Sequence, residues 1–159
     1  RLAITDSLTE LYNSRHFFDQ IKREISRFNR NPGRALSMLL IDIDHFKELN
    51  DSEGHQRGDE VLRSLGEVIR LCIRRNVDSG FRYGGDEFVI ILPDTNKEKA
   101  RVVAERIQKQ FGSFRFGQTS LSIGITEALP GENTKQLLSR ADEAMYTSKR
   151  GGRNRVSLL

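Results

Sequence analysis

Between Ser14 and Arg30 the apolar side chains Phe17, Phe18, Ile21, Ile25 and Phe28 recur at helical spacing, and Asn31-Pro32-Gly33 predicts where that helix stops. The next stretch, "ALSMLLID" from Ala35 to Asp42, is nearly continuously apolar and ends on an acid, which predicts a buried strand with a polar group at its tip. "HFKELND" predicts a short helix. A loop holding Gly54 and Gly58 separates it from a longer helix marked by Val61, Leu62, Leu65, Val68, Ile69 and Ile73. "SGFRY" and "EFVIIL" flank Gly84-Gly85 and read as a hairpin with a two-residue turn, because glycine tolerates positive φ at both turn positions. Asn96 to Phe111 patterns as an amphipathic helix and "QTSLSIGITEA" as a strand. Asn133 or Thr134 opens a further helix that ends at Gly151-Gly152, and "RVSLL" is a last short strand. Helices alternating with strands that include a hairpin imply an α+β fold, a mostly antiparallel central sheet flanked by helices.

A length of 159 residues suits one core, and no internal repeat, low-complexity tract or Pro- or Ser-rich linker divides it, so residues 1–159 are expected to form a single domain. Lys and Arg exceed Asp and Glu by 26 to 22, a net charge of +4 that permits an anionic ligand without requiring one. Cys72 is the sole cysteine and lies in the apolar run "VIRLCI", so it reads as a buried thiol in a reducing compartment. No apolar run approaches the ~18 residues that span a bilayer. A cytoplasmic location is expected, with the parent protein open to membrane anchoring. The first residue is Arg1 rather than methionine, so the chain is expected to be the C-terminal part of a longer protein with a sensor upstream.

Asp42 ends the buried strand and Asp86 begins the second arm of the hairpin. If those strands are neighbours, both carboxylates reach one sheet edge, where a hard divalent cation is favoured and the carbonyl of Ile43 can add an oxygen. Mg²⁺ fits such a site, since it takes one or two carboxylates and completes its shell with phosphate and water. Acids at strand ends are usually only solvated, and it is the segment between the two that raises the odds. "DIDHFKELNDSEGHQRGDE" is dense in polar groups. An amide and a carboxylate such as Asn50 and Asp59 can read the donor and acceptor edge of guanine, and backbone N–H groups opening the short helix after Asp44 can hold phosphates. A site with such partners rejects adenine, which leaves them unpaired. Lys149 and Arg153, four residues apart in "SKRGGRNR", read either as a solvated basic tail or as a clamp on the β- and γ-phosphates.

"RYGGDEF", "IDIDHFKELNDSEGHQRGDEVL", "LSIGI", "ADEAMYTSKRGGRN" and the amino-terminal "DSLTELYN" together resemble the GGDEF family of diguanylate cyclases, in family order from about Asp6 to Val156. The resemblance implies a nucleotide-cyclase fold related to the polymerase palm, with a ferredoxin-like core, condensing two GTP into cyclic di-GMP and two pyrophosphates. It implies Mg²⁺, with Mn²⁺ as a substitute, held by Asp42, the Ile43 carbonyl and Asp86. Asn50 and Asp59 match the guanine readers, His55 a further substrate contact, Lys47 the group that stabilises charge on the reacting phosphate, and Lys149 and Arg153 the triphosphate contacts. Either Asp86 or Glu87 helps deprotonate the attacking 3′-hydroxyl. Each half-site holds one GTP, so catalysis requires a homodimer. "RNVD", Arg75 to Asp78, stands at the position of the family's inhibitory RxxD motif, and Arg106 matches a further contact to the same product. Where the family usually has Gly and Arg, this chain has Glu10 and Ser14, which leaves the conformation of that turn open. A catalytically silent receptor for GTP or cyclic di-GMP is the alternative reading, although the signature is intact. A nucleic-acid module is disfavoured: there is no dense basic helix or aromatic platform, and the acids repel a phosphate backbone.

Overall fold

The computed structural model describes residues 3–159. Five helices and five strands alternate as α1 (Ser14–Arg30), β1 (Leu36–Asp44), α2 (Phe46–Glu53), α3 (His55–Cys72), β2 (Ser79–Arg82), β3 (Glu87–Pro93), α4 (Lys97–Gly112), β4 (Ser120–Glu127), α5 (Thr134–Arg150) and β5 (Arg155–Leu158). The strands form one sheet in the order β2-β3-β1-β4-β5. Every pairing is antiparallel except β4 with β5.

β1 is central, and all nine of its residues are buried. Its alternate side chains serve two cores, which explains why it reads as an unbroken apolar run. Leu39, Ile41 and Ile43 pack with α3 and α4 residues such as Leu65, Ile69 and Ile107. Leu36, Met38 and Leu40 pack on the opposite face with Phe17, Ile21 and Leu137 from α1 and α5. Each such side chain removed from water contributes roughly 1.5–3 kcal/mol, so the sheet's position is set from both sides. On the α5 face, β4 carries Gly124 where a Cβ would lie 2.2 Å from the Met145 backbone nitrogen and 2.4 Å from the Ala141 carbonyl oxygen. Only a bare backbone lets α5 come so close.

The helix ends follow side-chain caps. Asn13, Asn96 and Asn133 accept from the third residue of α1, α4 and α5, and at α5 Gln136 reciprocates in a capping box. α2 and α3 are separated by Gly54 alone, at φ 92°. Gly58, expected in a loop, therefore belongs with Asp59 to the first turns of α3, and β1 runs two residues past its expected end at Asp42 to take in Asp44.

The hairpin also differs from expectation. Arg82 pairs with Phe88, and both Tyr83 and Gly84 donate their N–H to the Glu87 carbonyl, so the turn is longer than Gly84-Gly85. Neither glycine sits in the left-handed region. Space matters instead at Gly84, where a Cβ would stand 3.2 Å from the Glu87 Oε1.

The amino-terminal turn packs against that tip. Asp6 accepts from the Thr9 N–H and hydroxyl at 2.9 and 2.7 Å, while Arg82 reaches Asp6 at 3.3 Å and the Gly85 carbonyl at 2.8 Å. Glu10 takes φ 61°, the conformation a glycine adopts without penalty. Glu10→Gly is therefore expected to stabilise the domain by about 0.5–1 kcal/mol, the relief of left-handed strain less the added freedom of the unfolded chain; urea unfolding would measure it.

At the far end Arg140 of α5 donates to both Glu132 oxygens, at 2.6 and 2.9 Å, and to the Glu127 carbonyl at 2.6 Å. The hydrogen bond from Arg140 holds the Glu132 carboxyl below its ordinary range. Its stabilisation is complete above the unfolded-chain pKa of about 4.3 and is lost as pH falls through the lower folded value. Thermal melts below about pH 4.3 should accordingly show a shallower loss of stability in Glu132→Gln than in the wild type.

Candidate active site

The antiparallel register of β1 and β3 sets Asp42 directly across from Glu87. The Ile43 N–H donates to the Asp86 carbonyl at 3.2 Å, fastening the hairpin tip to the end of β1. Asp42, Asp86 and Glu87 thus share one sheet edge, as the sequence implied for the first two.

Asp42 is 7% exposed, and its Oδ1 is buried with no hydrogen-bond partner, while its Oδ2 is paired with the Lys149 ammonium from the end of α5. Burial pushes the Asp42 carboxyl up; the Lys149 hydrogen bond opposes this, and the charges of Asp86 and Asp44 add to it. Burial likewise raises Glu87, reinforced by Asp42, Asp86 and Asp142 and opposed by Lys149. Crowded carboxylates that repel one another, one of them with an unsatisfied inward oxygen, form a site that a divalent cation relieves. Among the described residues no group of three His, Cys, Asp or Glu side chains forms a ready-made metal cage. The donor set, two carboxylates and a carbonyl, fits a hard ion such as Mg²⁺ or Mn²⁺ that takes further oxygens from a bound phosphate.

Asp44, two residues beyond Asp42 and on the same face of β1, is engaged instead by β4 and the loop after α5. It is 2% exposed and accepts from Ser122 Oγ at 2.6 Å, Ser120 Oγ at 2.7 Å and the Asn154 N–H at 3.1 Å. Along the sequence Asp44 is only one of many polar residues in "DIDHFKELNDSEGHQRGDE". The signal was there in the "SLSIGI" alternation of β4, where Ser120 and Ser122 face the acid's side, but only the register Asp44↔Ser120 and Asp42↔Ser122 reveals it.

The remaining candidates line α2 and α3. His45 caps α2 at φ 60° with no side-chain hydrogen bond to the helix, so the first N–H groups of this eight-residue helix keep their donors for a ligand. Lys47 is exposed on its first turn, and His55 is exposed at the start of α3. Asn50 and Asp59 are half-buried on the two helices. Asn50 Oδ1 is buried without a partner, and it occupies the space beside Gly58, where a Cβ would lie 1.8 Å away.

The second set of predicted residues is brought together only in part. Asp78 is buried and its carboxylate is taken by Arg74, through the backbone N–H at 2.7 Å and side-chain nitrogens at 2.8 and 3.0 Å. Arg75, the motif's arginine, is exposed and forms no ion pair among the described residues. It shares with Asp78 a cleft of about 460 Å³, while Arg106 lines an adjoining cleft of about 310 Å³ on the other side of Asp78. A cleft of about 590 Å³ between Leu129 and Arg140 holds none of the acids or candidate nucleotide contacts named above. The open acidic edge, with its crowded carboxylates and orphaned oxygen, is the candidate functional face.

Residues 3–155 match the family model described as diguanylate cyclase, GGDEF domain. The chain is 37% identical to diguanylate cyclase A of Treponema denticola, over 99% of its own length and 44% of that protein's. It is 41% identical to diguanylate cyclase DosC of Escherichia coli, over 96% of this chain and 34% of that one, and 42% identical to response regulator PleD of Caulobacter vibrioides, over 98% and 36%. The chain thus spans less than half the length of these relatives. Its fold superposes on the GGDEF domain of DgcB from Caulobacter crescentus, solved in complex with c-di-GMP, with a TM-score of 0.92 and 37% identity, covering 99% of this chain and 96% of that one.

Gly58→Ala is expected to evict the Asn50 carboxamide from its slot. Titration with GDP should show affinity falling about tenfold, the value of one or two lost hydrogen bonds, with helical circular dichroism unchanged.

Proposed function

The chain belongs to the diguanylate cyclase GGDEF domain family, and we propose that it condenses two GTP molecules into cyclic di-GMP with release of two pyrophosphates. The observation that carries this reading is the edge where Asp42, with its orphaned buried oxygen, faces Glu87 beside Asp86. Asp42, Asp86 and the Ile43 carbonyl hold Mg²⁺, with Mn²⁺ able to replace it. The ion supplies charge neutralisation on the triphosphate. Asn50 and Asp59 together read the donor and acceptor edge of guanine, and His55 contacts the substrate nearby. Lys47 faces charge building on the reacting phosphate, and Lys149 and Arg153 bind the β- and γ-phosphates. Lys149 rests on Asp42 in this structure and on this reading leaves that carboxylate to reach the phosphates.

In each of two equivalent steps a 3′-oxygen attacks an α-phosphorus, the new P–O bond forms as the α–β bridge breaks, and pyrophosphate departs with the electron pair. The hydroxyl proton goes to Asp86 or Glu87. The attacking and accepting nucleotides sit on different copies, so the active form is a homodimer with its acidic edges opposed across a two-fold axis. Parts of the full-length protein outside this chain, a sensor among them, control activity by setting that alignment. Product feeds back at Arg75, Asp78 and Arg106, where guanidinium groups stack on and hydrogen-bond intercalated cyclic di-GMP.

Incubating the domain at high concentration with GTP and Mg²⁺ should yield cyclic di-GMP by mass spectrometry, and Asp86→Asn should lower turnover by at least about 100-fold. A domain that binds GTP or cyclic di-GMP yet forms no product is a receptor instead. Added product should inhibit the wild type and leave Arg75→Ala uninhibited; equal inhibition of both removes the feedback site.

A further inference from the structure

Asp44 is the one buried acid at this edge that no step above uses. It has no cationic partner among the described residues. Its neutral donors come from two places. Two are the Ser120 and Ser122 hydroxyls, supplied by β4, and the third is the backbone N–H of Asn154, beyond the end of α5. A buried carboxylate without a countercharge is held at a considerable desolvation cost, and part of what it holds is a loop.

That loop has an unusual backbone. Gly152, Arg153 and Asn154 run consecutively at φ 117°, 64° and 48°. Left-handed conformation costs roughly 1–2 kcal/mol for a residue with a Cβ, so Arg153 holds this geometry only because its surroundings fix it. The Arg153 N–H donates to the Ser148 carbonyl at 3.0 Å. On its other side, Asn154 is clamped twice, its N–H by Asp44 and its carbonyl and side-chain oxygens by Gln108 of α4 at 2.9 and 3.0 Å. The arginine between these anchors is itself exposed.

We propose that Asp44 is a positioning residue for Arg153: it ties the left-handed Gly152–Asn154 loop to β1, so that the strand bearing Asp42 also fixes where the triphosphate arginine stands. In "DID" the first acid meets the ligand and the second places the cation that helps hold it. Gln108 is the second, outer anchor of the same loop. The inference rests on the reading of Arg153 as a triphosphate contact.

The test compares binding of 3′-deoxy-GTP, which lacks the attacking hydroxyl, with binding of GMP, which lacks the phosphates in question, both with Mg²⁺. Asp44→Ala should weaken 3′-deoxy-GTP about tenfold and GMP less than about twofold, with Asp44→Asn restoring most of the loss. Combined with Arg153→Ala it should add nothing further, since both remove one interaction. Gln108→Ala, a substitution outside the core, should weaken 3′-deoxy-GTP about threefold and have no effect in the Arg153→Ala background; it decides the matter if Asp44→Ala does not fold. Additive losses, or a loss of GMP binding equal to that of 3′-deoxy-GTP, overturn the proposal while leaving the proposed cyclase reaction standing. If Arg153→Ala alone leaves 3′-deoxy-GTP binding unchanged, the triphosphate role of Arg153 falls, and this inference with it.

Discussion

β1 has no solvent-facing side, yet two of its last three residues are carboxylates that must be buried along with it. Everything at the functional edge answers that constraint. Asp44 is satisfied by two serines and a backbone N–H, a neutral solution. Asp42 is satisfied on one oxygen by Lys149 and left with the other unpartnered. The two acids of one strand are thereby given opposite assignments, one closed and one open, by whatever faces them across the sheet. An open buried oxygen is costly to maintain without a ligand, which is why its presence argues for function more strongly than the acid's identity does.

The supporting layers act on the same edge from several directions. Gly124 seats α5 against the β4 backbone and so brings Lys149 within reach of Asp42. The Ile43 N–H holds the Asp86 carbonyl, and Arg82 holds the Gly85 carbonyl while reaching back to Asp6. The hairpin tip is thus moored both to the central strand and to the first turn of the chain, a physical connection between the amino-terminal end of the domain and its acidic edge.

Much of this was legible in the sequence because the pattern and the fold obey the same periodicities. The continuous run in β1 announced a strand buried twice over, and Asn-initiated helices and the Asn31-Pro32-Gly33 stop fell where side-chain caps put them. Asp42 and Asp86 were readable as strand-end acids, while their meeting rested on the condition that the two strands be neighbours, which the sheet order meets. Asp44 was not: its role depends on which β4 residues lie opposite, and register is a long-range fact that local pattern does not carry. The hairpin turn was misjudged for a related reason. Two glycines suggested positive φ, whereas a turn with a third residue meets the geometry without it and leaves Gly84 to make room for Glu87. Arg74 was overlooked because the RxxD spacing drew attention to its neighbour, while one residue of helix-end geometry gave Asp78 to Arg74.

The single-residue joint at Gly54 bears on how such a domain can change. Asn50 and Asp59 stand on two helices with no slack between them, so the span from amide to carboxylate is fixed by helical geometry and not by a loop that can be lengthened. Here an insertion would rotate one side chain away from the other. On the proposed reading of Asn50 and Asp59 as guanine contacts, base preference at this face is therefore open to alteration by exchanging a side chain and closed to alteration by remodelling the connection.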